Sequence, residues 1–140
     1  IWKILEKKPK MQDKQVYEYA FIRLVPRVER EEFLNVGVIL FCKRKKYLDV
    51  KYHLDEARLL ATFPDLVLEE VSNYLKAWEL ICKGSEEGGE IAKLDQAGRF
   101  RWLTATRSTI IQSSKVHPGL CGEPEKILDK LFQSYVLWES

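Results

Sequence analysis

Three apolar segments near the N-terminus, joined by short polar links, restrict this chain to folds built on an antiparallel sheet. Val16–Val25 (VYEYAFIRLV) is apolar at both parities, with Ala20, Ile22 and Leu24 at even positions and Tyr17, Tyr19, Phe21 and then Arg23 at odd ones. Such a pattern predicts a strand covered on both faces. Pro26, which cannot donate to a ladder, ends it. Phe33–Cys42 (FLNVGVILFC) reads as a second strand, in which Gly37 marks a bulge or a close backbone approach. Lys43–Lys46 forms a basic hairpin tip. In Tyr47–Leu54, Leu48, Val50, Tyr52 and Leu54 are expected to face in, and Asp49, Lys51 and His53 out. Sequential strands on links this short make a meander.

Helical signals follow. Asp55 is placed to cap a short helix that runs to Phe63, and Pro64 interrupts it. Asp65 is read as capping a long helix, Leu66–Lys83, with an apolar stripe at Val67, Val71, Leu75, Trp78 and Cys82, stopped by Gly84. Ser85–Gly89 reads as a flexible acidic linker. Ile91–Ala105 fits two descriptions: Phe100 and Trp102 alternate with Arg99 and Arg101 as in a strand, while Leu94, Ala97, Phe100 and Leu103 recur at helical spacing. Thr109–Gln112 reads as a strand. A last helix begins at Pro124, with Ile127, Leu128, Leu131, Phe132 and Tyr135 on one side. The expected fold class is α+β: an antiparallel sheet, made of the three-strand meander and a later strand, packed against two or three helices. Residues 1–10 read as an N-terminal extension ahead of Met11, and residues 11–140 as a single domain.

A chain of 140 residues, 46% apolar and 31% charged, has the makings of a self-sufficient core. Val36–Cys42 falls far short of the roughly 18 apolar residues of a membrane span. Ile1–Leu5, interrupted by Lys3, is too short for a secretory signal. Cys42, Cys82 and Cys121 are odd in number and scattered, as expected of reduced thiols in a cytoplasmic protein. The net charge of +2 argues for no nucleic acid by itself. His117 and Cys121 are spaced like two metal ligands or a Cys/His nucleophile pair, but no regular element is expected to fix their geometry and no matching pair completes a zinc site. With no phosphate-binding glycine loop and no nucleophile elbow, neither metal nor cofactor is expected.

Candidate binding residues cluster around arginine. Arg99-Phe100-Arg101-Trp102-Leu103-Thr104-Ala105-Thr106-Arg107-Ser108-Thr109 combines three guanidiniums with two large aromatics. Forked guanidiniums suit carboxylates and phosphates, and Trp102 or Phe100 can serve as a stacking platform. The alternative places both rings in the core and pairs the arginines with the acidic loop. Arg23 must reach water, pair with Glu29, Glu31 or Asp55, or face a ligand. The turn Pro26-Arg27-Val28-Glu29-Arg30-Glu31-Glu32 mixes both signs and joins two buried strands.

Several of these segments closely resemble a family of small bacterial proteins catalogued as domain of unknown function 3037. The resemblance lies in Tyr17-Glu18-Tyr19 through Arg23-Leu24-Val25-Pro26, in Glu29-Arg30-Glu31-Glu32-Phe33 and in Asn35-Val36-Gly37-Val38. It continues in Arg99 through Ala105, in Arg107-Ser108-Thr109, at Gln112 and in His117-Pro118-Gly119-Leu120-Cys121. Thr106 departs from the pattern, standing where a proline is expected, and residues 1–10 lie outside it. The resemblance carries no assigned activity, cofactor or substrate. It implies a stand-alone cytoplasmic protein, often encoded beside a HipA-like kinase, and hence an accessory role with such a partner.

The expectation that results is a non-catalytic binding module. Arg23, Arg27, Arg30, Arg99, Arg101 and Arg107, with Glu29, Trp102, Ser108, Thr109 and His117, would engage an anionic ligand or a protein partner, possible partners including the HipA-like kinase. It requires Arg23, Arg101 and Arg107 to share one recessed wall of the sheet. One rival is a nuclease or phosphotransfer enzyme with Glu29, Glu31 or Asp55 as base. Another is a nucleic-acid binder using Lys43–Lys46, which needs a continuous basic stripe from that tip to Arg99–Arg107.

Overall fold

The first strand, β1 (Gln15–Leu24), is the centre of the molecule, as its two apolar faces demand. The computed structural model describes residues 15–137, so the extension read from residues 1–10 lies outside the described residues. β1 pairs antiparallel with β2 (Leu34–Cys42), which pairs with β3 (Tyr47–Tyr52) across the exposed Lys43–Lys46 tip. Two later strands share the other side of β1: β4 (Ile111–Ser113) along its C-terminal half and β5 (His117–Cys121) along its N-terminal half. The result is a five-stranded antiparallel sheet in an α+β fold.

Four α-helices complete the described chain: α1 (Glu56–Thr62), α2 (Leu68–Lys83), α3 (Gln96–Leu103) and α4 (Pro124–Tyr135). None of them is long and apolar enough to cross a membrane. The even positions of β1 (Ala20, Ile22, Leu24) join Ile39 and Phe41 of β2 in a core closed by Leu59, Val71, Leu75, Phe100 and Leu103 from α1, α2 and α3. The opposite face carries a second core of Val38, Leu40, Cys42 and Leu128, against which Tyr17, Tyr19, Phe21 and Phe132 pack. Each fully buried side chain of this kind contributes about 1.5–3 kcal/mol.

The register of β1 against β2 slips between Ile22, opposite Gly37, and Arg23, opposite Asn35, leaving Val36 as the extra residue of a bulge. A β-carbon on Gly37 would lie 2.8 Å from the Lys51 carbonyl oxygen and 2.9 Å from Ile22 Cδ1, so only glycine fits.

Several expectations need correction. Lys51 does not face solvent alone: α4 roofs that side of β3, and Lys51 Nζ lies 2.7 Å from Asp129 Oδ1. Asp65 does not cap the long helix, which begins at Leu68 with Val67 in the capping position and no side-chain cap. Val67 is accordingly 58% exposed rather than part of the buried stripe, which Ile81 joins instead. The acidic linker is folded, with Glu86–Gly88 forming a 3-10 turn. Of the two descriptions left open for Ile91–Ala105, the helical one applies: a 3-10 turn at Ile91–Lys93 precedes α3 at Gln96–Leu103. His117–Cys121 is a regular strand, paired with Tyr19 through Gln15.

Other readings hold as stated. Asp55 caps α1, accepting from Arg58 N–H. Gly84 ends α2 in the left-handed region, φ 68°. Pro124 opens α4. Of the three cysteines, Cys42 and Cys82 are free, buried thiols, while the Cys121 side chain lies outside what is described; burial pushes the Cys82 thiol up to about 12.

Candidate functional site

α3 is helical because Asp95 accepts from Gly98 N–H at 2.7 Å and because Phe100 and Leu103 then turn into the core. That leaves Arg101 and Trp102 exposed and Arg99 half-buried, its Nε buried without a hydrogen-bond partner. Arg101 makes a forked pair with Glu18, Nη1 and Nη2 lying 2.8 and 2.6 Å from the two carboxylate oxygens. Arg99 folds back to the Leu94 carbonyl at 2.6 Å. Arg107 donates to the carbonyls of Trp102 and Leu103 at the end of α3, and its guanidinium sits 4.0 Å above the Trp102 ring. A cation at this helix end suits the carbonyl-rich C-terminus, where the Trp102 carbonyl also accepts from Ala105 N–H at 3.4 Å. Trp102 is 39% exposed and is therefore not core, whereas Phe100 is. Ser108 is exposed, and Thr109 is held in the turn into β4, its hydroxyl donating to the Ile111 carbonyl at 2.6 Å.

Arg23 does not join them. It lies between Ile22 and Leu24, both buried under α1–α3, so strand alternation sends its side chain to the opposite face of the sheet. Glu18, at an even position, belongs to the α3 side and takes Arg101 with it. The shared wall of Arg23, Arg101 and Arg107 is thus not formed. Arg23 stacks on Phe33 at 4.2 Å instead, with Asn35 and Gln112 as its cross-strand neighbours. None of its expected partners pairs with it, and Asp55 is the cap of α1. His117 is exposed on β5, its ring 5.2 Å from that of Tyr19.

The acidic–basic loop proves more productive. Val28–Arg30 forms a 3-10 turn, closed by Glu31 in the left-handed region (φ 56°), with Arg30 paired to Glu32. The loop overhangs a cleft of about 350 Å³ whose other wall is the α1–α2 connection. Pro26, Phe63, Pro64, Leu66, Val67 and Ile110 supply its apolar surface. Arg27 and Arg30 line one side, and Glu32, Asp65 and Glu70 add carboxylates. Of the candidate residues, only Arg27 and Arg30 are brought to this cleft. Glu29 and Glu31 do not line it, so the acids proposed for phosphate chemistry are not those that meet arginine there.

Residues 19–136 match the model of a family described as protein of unknown function, DUF3037. The chain belongs to the DUF3037 family. No curated protein and no solved structure matches it. In this DUF3037 protein the family match runs from Tyr19 within β1 through α4, and therefore covers the cleft as well as the Arg99–Thr109 segment.

The half of the DUF3037 cleft formed by Phe63–Val67 was missing from the sequence reading. The signal was present in Phe63-Pro64 and in the consecutive Leu66-Val67-Leu68. A residue before proline is pushed out of the helical region, and three apolar neighbours in a row cannot share one helical stripe. The basic tip Lys43–Lys46 does not line the cleft and is tied to the start of α3, its Lys46 carbonyl accepting from Gln96. Among the described residues no group of three or more His, Cys, Asp or Glu is placed to hold a metal ion.

Proposed function

We propose that this DUF3037 protein is a non-catalytic binding module that seats a short segment of a protein partner in the cleft between the Pro26–Glu32 loop and Phe63–Val67. The observation that carries this reading is one concavity holding both an apolar surface and two arginines. Its volume of about 350 Å³ sits at the lower end of the range for ligand sites, roughly 300–1,000 Å³. Apolar contact supplies affinity, and a few placed polar groups supply orientation. Among the described residues Arg27 has no ion-pair partner, whereas Arg30 is tied to Glu32. The fitting segment therefore carries an apolar side chain for Phe63, Leu66 and Val67 and a carboxylate for Arg27. Loops on a rigid sheet are a common place for such recognition. The family resemblance supplies the first partner to try, a HipA-like kinase.

The test is calorimetric titration of the full chain with such a kinase, using wild type, Arg27→Glu and Val67→Asp. Binding that weakens roughly ten-fold or more in both variants supports the reading, since a desolvated charge or apolar anchor is worth about 1.4 kcal/mol or more. No association, or association indifferent to both substitutions, overturns it.

A further inference from the structure

We propose that Arg23, with Asn35 beside it, is a seat for an oxyanion, a carboxylate or phosphate group, on the face of the sheet opposite α1–α3. The site is separate from the cleft. Arg23 is the one charged residue on a β1 face otherwise presenting Tyr17, Tyr19 and Phe21. Its Nε is buried without a hydrogen-bond partner, and so is Oδ1 of Asn35, its neighbour in register on β2. No carboxylate among the described residues lies within ion-pair distance of Arg23. α4 reaches this face with Tyr135, 5.2 Å from Phe21, and Arg23 is the next residue of that parity along β1.

The geometry explains what such a group would gain. Phe33 covers one face of the guanidinium, with its ring centroid 4.2 Å from Cζ. Guanidinium donates only in its own plane, so a ring against that face fixes the plane, and a ligand must come in along the N–H edge, where Nε is buried. A carboxylate or phosphate matches that edge with two acceptor oxygens. Rotating the Asn35 carboxamide by half a turn would replace its unpaired acceptor with an amide group that carries two donors. A partly buried cation with no counter-charge is costly to the free protein, and an aliphatic side chain at position 23 would avoid that cost. An oxyanion repays it.

The Arg23 Nε–H and Asn35 carboxamide signals of the labelled full chain are followed by NMR during titration, at constant ionic strength, with sodium acetate, inorganic phosphate or a hexaglutamate peptide, and with chloride as control. A saturable shift of both signals with at least one probe, and none with chloride, supports the site. Saturation by a free ion identifies a small-molecule source, and saturation by the peptide alone identifies a polypeptide carboxylate. In Arg23→Met the Asn35 response falls roughly ten-fold or more, while Tm of the unliganded protein holds or rises. Arg27→Glu leaves the titration unchanged, which separates this site from the cleft. Shifts that grow linearly and match those of Arg27 and Arg30 overturn the proposal. A lowered Tm in unliganded Arg23→Met also overturns it, because the guanidinium would then be a structural partner.

Discussion

Ser114 Oγ accepts the backbone N–H of Phe21 at 2.8 Å, and Ser114 N–H donates to the Phe21 carbonyl at 2.9 Å. This exchange fills the gap along β1 between the residues paired with β4 and those paired with β5. The Ser114 hydroxyl also donates to the Lys115 carbonyl at 2.9 Å, so the one buried polar residue among those described is fully employed. Ser114→Ala leaves the Phe21 amide buried and unpaired, at an expected cost of about 1–3 kcal/mol. Urea denaturation gives the loss, and hydrogen exchange should show it concentrated at Phe21. An unchanged midpoint together with unchanged exchange would refute this account of the strand break.

The bulge makes a second prediction. Any β-carbon at position 37 meets the Lys51 carbonyl, Ile22 Cδ1 and Tyr52 Cβ, all under 3 Å. Two of these obstacles are held in place by the β2–β3 ladder or the core, so relief requires the strands to part. Gly37→Ala should cost about 1–3 kcal/mol or more, read as a lower midpoint in thermal or denaturant unfolding. A neutral Gly37→Ala would mean that the bulge can relax.

How much of this was legible depends on which signal each element carried. β1 was legible because apolar residues sit at both parities, which only a doubly covered strand explains. β5 was not, because His117-Pro118-Gly119-Leu120-Cys121 contains two poor strand formers. Pro118 is tolerated there at the edge of the sheet, and the Tyr17 ring lies over Gly119. The parity that separates Arg23 from the even face could be read directly. That α3 packs on the even face, and takes Arg101 to Glu18, depends on a contact 83 residues apart that no local pattern records. The cleft has the same character, since its two walls come from loops whose meeting is tertiary.

Arg101 and Glu18 set an upper bound on what an exposed arginine contributes to the fold. Their forked geometry is good, and Glu18 reinforces the charge on the guanidinium, but the Arg101 side chain is 55% exposed. Water and salt screen such a pair. Arg101→Ala should therefore cost no more than about 1 kcal/mol, and the difference from wild type should shrink in high salt. A loss of several kcal/mol would show that this pair anchors α3 to the sheet.

Glu79 gives the protein an acid limb. Its carboxylate accepts from Lys83 at 3.0 Å, Tyr52 at 2.9 Å and Lys76 at 3.2 Å. These contacts, the Lys83 hydrogen bond foremost, hold it down to about 2 from the ordinary 4.5. The folded state thus binds the proton less readily than the unfolded state. Its contribution is fully present above the ordinary value and is lost as pH falls from there toward about 2. Burial, aided by the same carboxylate, lifts Tyr52 to about 12 from 10.0, so its contribution is complete below pH 10 and is lost as pH rises to about 12. Glu79→Gln should lower stability at pH 7 by about 1–2 kcal/mol, discounted for the exposed lysines, and flatten the slope between pH 4.5 and 2. Parallel stability–pH curves for the two proteins would contradict this assignment.

Val67 separates folding from recognition in one residue. It occupies the N-cap of α2 with extended geometry, φ −93° and ψ 97°, and provides no side-chain acceptor for the first turn. It is also 58% exposed on the wall of the cleft, so its isopropyl group contributes little to the core. Serine is among the residues that cap this geometry well, and Val67→Ser should stabilise the protein by about 0.5–2 kcal/mol. The same change removes apolar surface from the cleft and should weaken binding of the partner segment. Thermal unfolding and partner titration of this single variant must move in opposite directions. A variant that is more stable and binds as wild type does would place the partner elsewhere, and one that is less stable would show that the valine already packs against something the capping serine cannot replace.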